Sequence, residues 1–146
     1  MMRIPDRKQI GSALIVVALS LIASAATASE VVVVSAKNPL TTLSKNQVMD
    51  IFLGRATQFP DGRRAVPIDQ AEGSSARDEF YLKFSNKSPA QIKAYWSKII
   101  FTGRGQPPRA VSSDAEVKKL ILANQNDIGY IDESMVDSSV KVLHVN

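Results

Sequence analysis

The chain has 146 residues and a formal net charge of +4, and it contains one histidine and no cysteine. The absence of cysteine excludes disulfides and thiolate metal sites, and one histidine is too few for zinc ligation by the usual histidine and cysteine sets. A nucleophilic enzyme needs a base beside its nucleophile, and His144 lies two residues from the end of the chain in a predicted strand. We therefore predict a protein that is not an enzyme and uses no metal and no cofactor.

The first 28 residues have the pattern of a secretory signal peptide. Three basic residues precede an apolar run over residues 10–23, and Ala26-Thr27-Ala28 has the small-x-small form of a cleavage site. The apolar run is shorter than the roughly 20 residues that a membrane-spanning helix needs, so no membrane span is expected after cleavage. The pattern predicts a periplasmic protein, or an exterior one where the cell has a single membrane.

The remaining residues, 29–146, have the length of a single domain with one hydrophobic core. Removal of residues 1–28 takes away three basic residues and one acidic residue, which lowers the net charge to +2. This charge is too small to indicate nucleic-acid binding.

The first half of the mature chain predicts a strand, a helix and a second strand. Residues 30–35 are a β-branched run, typical of a central strand that is covered on both faces. Ser44 and Gln47 form a capping-box pattern for a helix over residues 45–53, and Gly54 stands at its expected end. A turn sequence at residues 59–62 precedes a predicted strand over residues 65–68.

The second half predicts three helices and two strands. One helix begins at Ser74 or Ser75 and ends near residue 84, and Ser88-Pro89 starts the next, which a Gly/Pro-rich loop follows. The apolar face of the helix that starts at Ser88-Pro89 consists of Ile92, Tyr95, Trp96, Ile99 and Ile100. Ser113 and Glu116 indicate a capping box for the last helix, before strands over residues 128–131 and 140–145. The alternation predicts an α/β fold with a mixed, mostly parallel sheet flanked by helices.

The candidate functional segment is the turn between the second predicted strand and the helix after it. Gly73 permits close backbone approach, Ser74 and Ser75 supply hydroxyls, and the helix start presents unpaired N–H groups. Arg77 adds a fixed charge one turn into the helix. These features predict an oxyanion site beyond the C-terminal end of a strand, where ligands of α/β sheets bind. The alternative interpretation is that Ser74 or Ser75 only caps the helix, Ser75 in a pair with Asp78.

Two arginines on other loops are candidates to complete this anion site. Arg55 follows the first helix, and Arg104 lies between two glycines, where a flexible turn lets its guanidinium swing over a ligand and match an oxyanion with two donors. The alternative is that both are ordinary exposed loop arginines. Arg63-Arg64, beside Asp61, is interpreted as part of a solvated turn.

Four segments carry a resemblance: LSKNQVMDIFLG at residues 43–54, VPID at 66–69, EGSS at 72–75 and IGYI at 128–131. In this order and spacing they resemble the phosphate-type substrate-binding proteins of bacterial ABC transporters, in the type II periplasmic binding protein group. The resemblance implies one lobe of such a protein, with Gly73, Ser74 and Ser75 giving hydroxyl and N–H donors to a phosphate. The chain differs from the family pattern in having Ser75-Ala76 in place of a glycine and a hydroxyl residue, and Gln70-Ala71 where a basic residue is usual.

The predicted function is weak binding of phosphate or a similar small oxyanion at the helix N-terminus formed by Gly73, Ser74, Ser75 and Arg77, with Arg104 as an added contact. A single lobe offers an open half-site, and one helix end on an open surface competes poorly with water for an anion. The alternative is an orphan lobe that acts as a protein–protein interaction module in the cell envelope. A homodimer would restore a two-sided cleft.

Overall fold

A computed structural model describes Met2 and residues 29–146. The predicted signal peptide, residues 1–28, lies outside the described residues apart from Met2. The strands are β1 (Glu30–Ser35), β2 (Thr42–Leu43), β3 (Val66–Gln70), β4 (Arg109–Val111), β5 (Asp127–Asp132), β6 (Val140–Val142) and β7 (His144–Val145). The helices are α1 (Lys45–Phe52), α2 (Ser75–Ser85), α3 (Pro89–Phe101) and α4 (Asp114–Ala123), and a 3-10 turn covers Glu133–Met135.

The strands form a mixed sheet with the order β4-β3-β5-β1-β6 and a separate pair, β2 with β7. β3 is parallel to both β4 and β5, and β2 is parallel to β7. β1 is antiparallel to both β5 and β6. Three of the five pairings among the described strands are therefore parallel, and the predicted fold class, an α/β fold with a mixed, mostly parallel sheet, is confirmed.

Helices cover both faces of the five-stranded sheet. α1, α2 and α3 bury their apolar side chains on one face, and α4 buries Val117 and Ile121 on the other. The sheet therefore separates two hydrophobic cores, where the length of the chain predicts one. The valines of β1 alternate between them: Val32 and Val34 belong to the first and Val33 to the second. This two-sided burial explains why the strand is a continuous β-branched run.

One glycine in β5 sets the distance between α4 and the sheet. A Cβ at Gly129 would lie 2.6 Å from the Cγ1 of Val117, closer than two carbon atoms can approach without movement. Glycine at this position therefore lets α4 pack directly on β5.

The starts of α1, α3 and α4 follow the serine patterns of the sequence, with one difference at α4. Ser44 and Ser88 each form a full capping box with the glutamine three residues later. Ser113 accepts the N–H of Glu116, but the Glu116 carboxylate accepts from Ser112 instead of returning to Ser113. The predicted capping box of α4 is therefore only half formed.

The predicted last strand over residues 140–145 is wrong as a single element. Val140 packs with the α4 core and Leu143 packs with the core on the opposite face, as the alternation of side chains along a strand requires. The two strands are separate because β6 pairs with β1 in the five-stranded sheet, whereas β7 pairs with β2.

Candidate oxyanion site

The turn that follows β3 has the backbone geometry of an open helix start. Gly73 has a φ of +86°, which favours glycine, and among the described residues nothing lies within 4 Å of the position that its Cβ would take. The N–H groups of Ser75 and Ala76 fall in the first turn of α2, where the helix has no acceptor for them. The Ser75 side chain is exposed. The turn therefore offers two backbone donors and an exposed hydroxyl.

Ser74, and not Ser75, caps α2. The Ser74 Oγ accepts a hydrogen bond from the Arg77 N–H at 3.3 Å, and the Asp78 N–H donates to the Ser74 carbonyl at 3.2 Å. Of the two predicted caps, Ser74 is confirmed, and the pair of Ser75 with Asp78 is wrong because Ser75 already belongs to the helix. Since Ser74 uses only its oxygen in the cap, its hydroxyl proton remains able to donate to a ligand.

Arg77 is held inside the protein by an acidic partner. Its Nε lies 3.7 Å from the Oδ2 of Asp69, and its side chain is only 15% exposed. The guanidinium also lies over the ring of Tyr81, 5.7 Å from the ring centre. Part of the charge that Arg77 would offer to an oxyanion is therefore already neutralised by Asp69.

Asp69 is the centre of a buried hydrogen-bond network that the sequence did not reveal. Its Oδ1 accepts from the Tyr130 hydroxyl at 2.5 Å and from the Gln70 N–H at 2.8 Å, and its Oδ2 accepts from the Tyr81 hydroxyl at 2.7 Å. Burial and the adjacent carboxylate raise the pKa of Tyr81 and of Tyr130, so both phenols keep the protons that they donate. In the sequence Asp69 directly follows a predicted strand, but its two tyrosine partners are 12 and 61 residues away, so no local pattern indicates the network.

Gln70 connects three elements and is not free to contact a ligand. Its amide donates to the Tyr130 carbonyl at 3.0 Å and to the Oδ1 of Asp114 at 2.8 Å. The Oδ2 of Asp114 in turn accepts from the Asp132 N–H at 3.1 Å. At the position where the resemblance leads one to expect a basic residue, this chain therefore has an amide that ties β3 to β5 and α4.

Acidic and basic side chains are nearly balanced around the turn. A groove of about 330 Å³ next to Arg77 is also lined by Asp69, Glu72 and Lys93. Glu72 and Lys93 form an exposed ion pair at 3.2 Å. Neither sign of charge dominates this groove, so the oxyanion preference of the turn depends on its backbone donors and hydroxyls.

Glu30 is a buried carboxyl near the same end of the sheet. It begins β1 opposite Asp132, and among the described residues its Oε2 has no hydrogen-bond partner. Burial, with the charges of Asp114, Asp132 and Glu79, raises the pKa of Glu30 to about 7, and Lys83 opposes the shift. The folded protein therefore holds a proton on Glu30 more tightly than the unfolded chain does.

We expect this proton to make stability depend on pH. The contribution is fully present below the ordinary pKa of 4.5 and is lost as the pH rises through about 7. Between pH 4.5 and pH 8 the parent should lose up to about 3 kcal/mol of unfolding free energy relative to Glu30→Gln, which has no proton to lose at this position. Urea unfolding of both proteins measures this difference. Asp61→Asn is the control, since Arg63 lowers the pKa of Asp61 below 3.8. The difference in the free energy of unfolding between this variant and the parent should therefore stay constant over this pH range. A constant difference for Glu30→Gln would contradict the prediction.

Arg104 and Arg55 lie in a different place from the turn. Both line a groove of about 590 Å³ that also contains Arg64, Arg109 and the first residues of β3. Because the turn follows the last residue of β3, the structure places Arg104 and Arg55 at the opposite end of this strand from Gly73. Of the predicted site residues it brings together Gly73, Ser74, Ser75 and Arg77, and it does not bring Arg104 to them.

Arg63 and Arg64 divide between two environments. Arg63 forms an ion pair with Asp61 at 2.8 Å and donates to Asn38 at 2.7 Å, whereas Arg64 lines the large groove. Within residues 29–146, no group of three or more His, Cys, Asp or Glu side chains has an arrangement that could hold a metal ion. No helix in that range combines the length and the apolar character needed to cross a membrane.

The mixed sheet with helices on both faces matches part of the fold of solved substrate-binding proteins of ABC transporters. The chain is similar to a phosphate ABC transporter substrate-binding protein from Clostridium perfringens with bound phosphate, at 25% identity and a TM-score of 0.63 over 81% of this chain and 45% of that one. An ABC-type phosphate transport receptor from Vibrio cholerae matches at 21% identity and a TM-score of 0.62, over 81% and 46%. PstS from Borrelia burgdorferi matches at 17% identity and a TM-score of 0.57, over 82% of this chain and 47% of that one.

These matches confirm the resemblance to phosphate ABC transporter substrate-binding proteins at the level of fold. The chain spans less than half the length of each of these solved proteins, as one lobe does. By sequence, no family model and no curated protein matches the chain.

Proposed function

We propose that the protein is a non-catalytic binding protein that holds phosphate or a similar small oxyanion at the turn formed by Gly73, Ser74, Ser75 and Arg77. The observation that carries the proposal is the start of α2, where two backbone N–H groups have no helical acceptor and two serine hydroxyls lie beside them. The similarity to a solved protein with bound phosphate supports the same class of ligand.

The affinity of this site is expected to be low. Arg77 is paired with Asp69, and Glu72 lines the adjacent groove, so an incoming anion meets little net positive charge. The remaining attraction comes from the helix end and from neutral hydroxyl donors, which compete with water on an open surface. Binding at millimolar phosphate is the expected regime.

The proposal includes export. Residues 1–28 act as a cleavable signal peptide, and residues 29–146 form the mature phosphate-binding type domain in the periplasm. This follows from the basic, apolar and small-residue pattern of the N-terminus.

Isothermal titration of the purified protein with inorganic phosphate tests the binding site. We expect weak, saturable binding heat. The affinity for phosphate should be at least about fivefold lower in Ser74→Ala/Ser75→Ala, because both hydroxyl donors are removed. Ser88→Ala is the matched control, since it removes the cap of α3 without changing the turn. No heat with phosphate, sulfate or molybdate at millimolar concentrations would contradict the proposal, as would equal binding by the double variant.

A second candidate is an interaction module that docks on a protein of the cell envelope or on another copy of itself. Phe101 is 92% exposed and Ile100 is 49% exposed, so two large apolar side chains at the end of α3 face solvent. Exposed aromatic residues are typical anchors of protein interfaces. Absence of oxyanion binding in the titration would favour this candidate.

A further inference from the structure

The large groove lies between the end of α1, the start of β3, the middle of α3 and the loop that leads into β4. It has a volume of about 590 Å³, within the range of roughly 300–1,000 Å³ that is usual for sites of small organic ligands. Its walls include Tyr95 and Trp96, and its guanidinium groups belong to Arg55, Arg64, Arg104 and Arg109. Arg55, Arg64 and the pair Arg104 and Arg109 come from three segments, so the folded chain gathers charges that are separate in sequence.

The walls of the groove are held by specific contacts. The Tyr95 hydroxyl donates to the Leu53 carbonyl at 2.6 Å, which fixes α3 against the end of α1. Gly54 has a φ of +73°, and its Cβ would lie 3.3 Å from the buried Trp96 ring, so glycine lets the indole pack against this turn. The Arg104 N–H donates to the Ile99 carbonyl at 3.0 Å, which ties the loop back to α3. The groove is therefore preformed.

The charge of the groove is positive and largely unbalanced. Among residues 29–146, Arg64, Arg104 and Arg109 have no acidic group within 4 Å, and no acidic residue lines the groove. Arg55 pairs with Asp50 at 2.8 Å, and this pair is exposed. A concave surface with charges of one sign concentrates the field and attracts ligands of the opposite sign. This situation differs from the turn after β3, where Asp69 neutralises Arg77.

Asp127 is the buried acid near this end of the sheet. It begins β5, and burial raises its pKa to about 6 while Arg109 opposes that shift. Because its pKa remains below neutral pH, the carboxylate is mostly ionised there and cancels part of the charge of Arg109. Arg64 and Arg104 retain theirs.

From this groove we infer a second binding site, for an organic polyanion that has an aromatic or apolar body and at least two anionic groups. The apolar and aromatic walls, together with the volume, accommodate a body much larger than an inorganic oxyanion. Guanidinium groups bind phosphate, sulfonate or carboxylate with two parallel donors and stack on aromatic rings. The turn after β3 is not part of this site.

Fluorescence anisotropy of pyrenetetrasulfonate, added to the full-length protein, tests the inference. This probe combines a planar aromatic body with several anionic groups. We expect saturable binding that weakens by about tenfold or more in Arg64→Gln/Arg104→Gln, because two bidentate donors are lost. Both side chains are exposed and form no ion pair within residues 29–146, so the variant should fold normally.

Two control variants separate a built site from general charge. Lys37→Gln/Lys119→Gln changes the net charge equally at exposed positions outside the groove and should alter the affinity less than twofold. Ser74→Ala/Ser75→Ala, which tests the proposed phosphate site, should also leave probe binding unchanged. Equal weakening by the lysine and arginine variants, or absence of saturable binding, would overturn the inference. Displacement of the probe by sodium sulfate at concentrations as low as those of the probe itself would also overturn it, by showing that the aromatic body adds nothing to binding.

Discussion

Replacement of Phe80 by alanine is expected to lower the free energy of unfolding by about 3–5 kcal/mol. Phe80 is fully buried on α2, and its ring stacks on Tyr130 with 3.9 Å between centres and 5° between planes. The rings of Phe52 and Phe84 lie 4.8 Å and 5.1 Å away. Truncation removes this burial and leaves a cavity between α1, α2 and β5, which a close-packed core fills only in part. Urea unfolding, followed by the fluorescence of Trp96, measures the loss.

Phe101→Ala is the matched control for this prediction. The same atoms are removed from a side chain that is 92% exposed, so we expect a change within about 0.5 kcal/mol. If the two alanine variants differed little from each other, the aromatic cluster around Phe80 would not be the centre of the core.

Local sequence patterns predict those helices and strands that are determined by residues close together in the sequence. The valine run of β1 and the Ser44 and Gln47 pair at α1 each encode their structure within a few positions, because strand burial and helix capping are local effects. The same locality made the start of α2 ambiguous. Ser74 and Ser75 both suit a cap, and the conformation of one residue decides between them.

The end of β3 could not be read from local patterns. The predicted strand stops at residue 68, whereas β3 continues through Asp69 and Gln70, which are polar and nonetheless buried. Their burial is stabilised by Tyr81 and Tyr130, which are 12 and 61 residues away from Asp69. Pairing across such distances depends on the sheet order, which no local pattern specifies.

The candidate site was predicted in part for the same reason. Gly73, Ser74, Ser75 and Arg77 are consecutive or nearly so, and the structure keeps them together. The prediction for Arg104 rests on the flexibility of a loop between glycines, but the position of that loop depends on how α3 packs against α1. In the structure the loop lies beside the start of β3, where Arg104 lines a groove with three other arginines.

The Asp69→Ala variant is expected to lose about 3–5 kcal/mol of the free energy of unfolding, although alanine is a small and apolar substitute. The hydroxyls of Tyr81 and Tyr130 would lose their acceptors, and Arg77 would lose its acidic partner in a largely buried position. A buried polar group left without a partner carries its full desolvation cost. Urea unfolding of the variant against the parent measures this effect.

A double-mutant comparison shows whether the network is the cause. In the background Tyr81→Phe/Tyr130→Phe, no phenolic hydroxyl remains to be orphaned, so Asp69→Ala should cost clearly less than it does in the parent. Equal costs in both backgrounds would mean that Asp69 acts through Arg77 or the backbone alone.

The network also bears on binding, because the carboxylate that the two tyrosines hold in place is the group that neutralises Arg77 beside the turn. The same buried interactions that stabilise the end of β3 therefore limit the charge that the proposed oxyanion site presents.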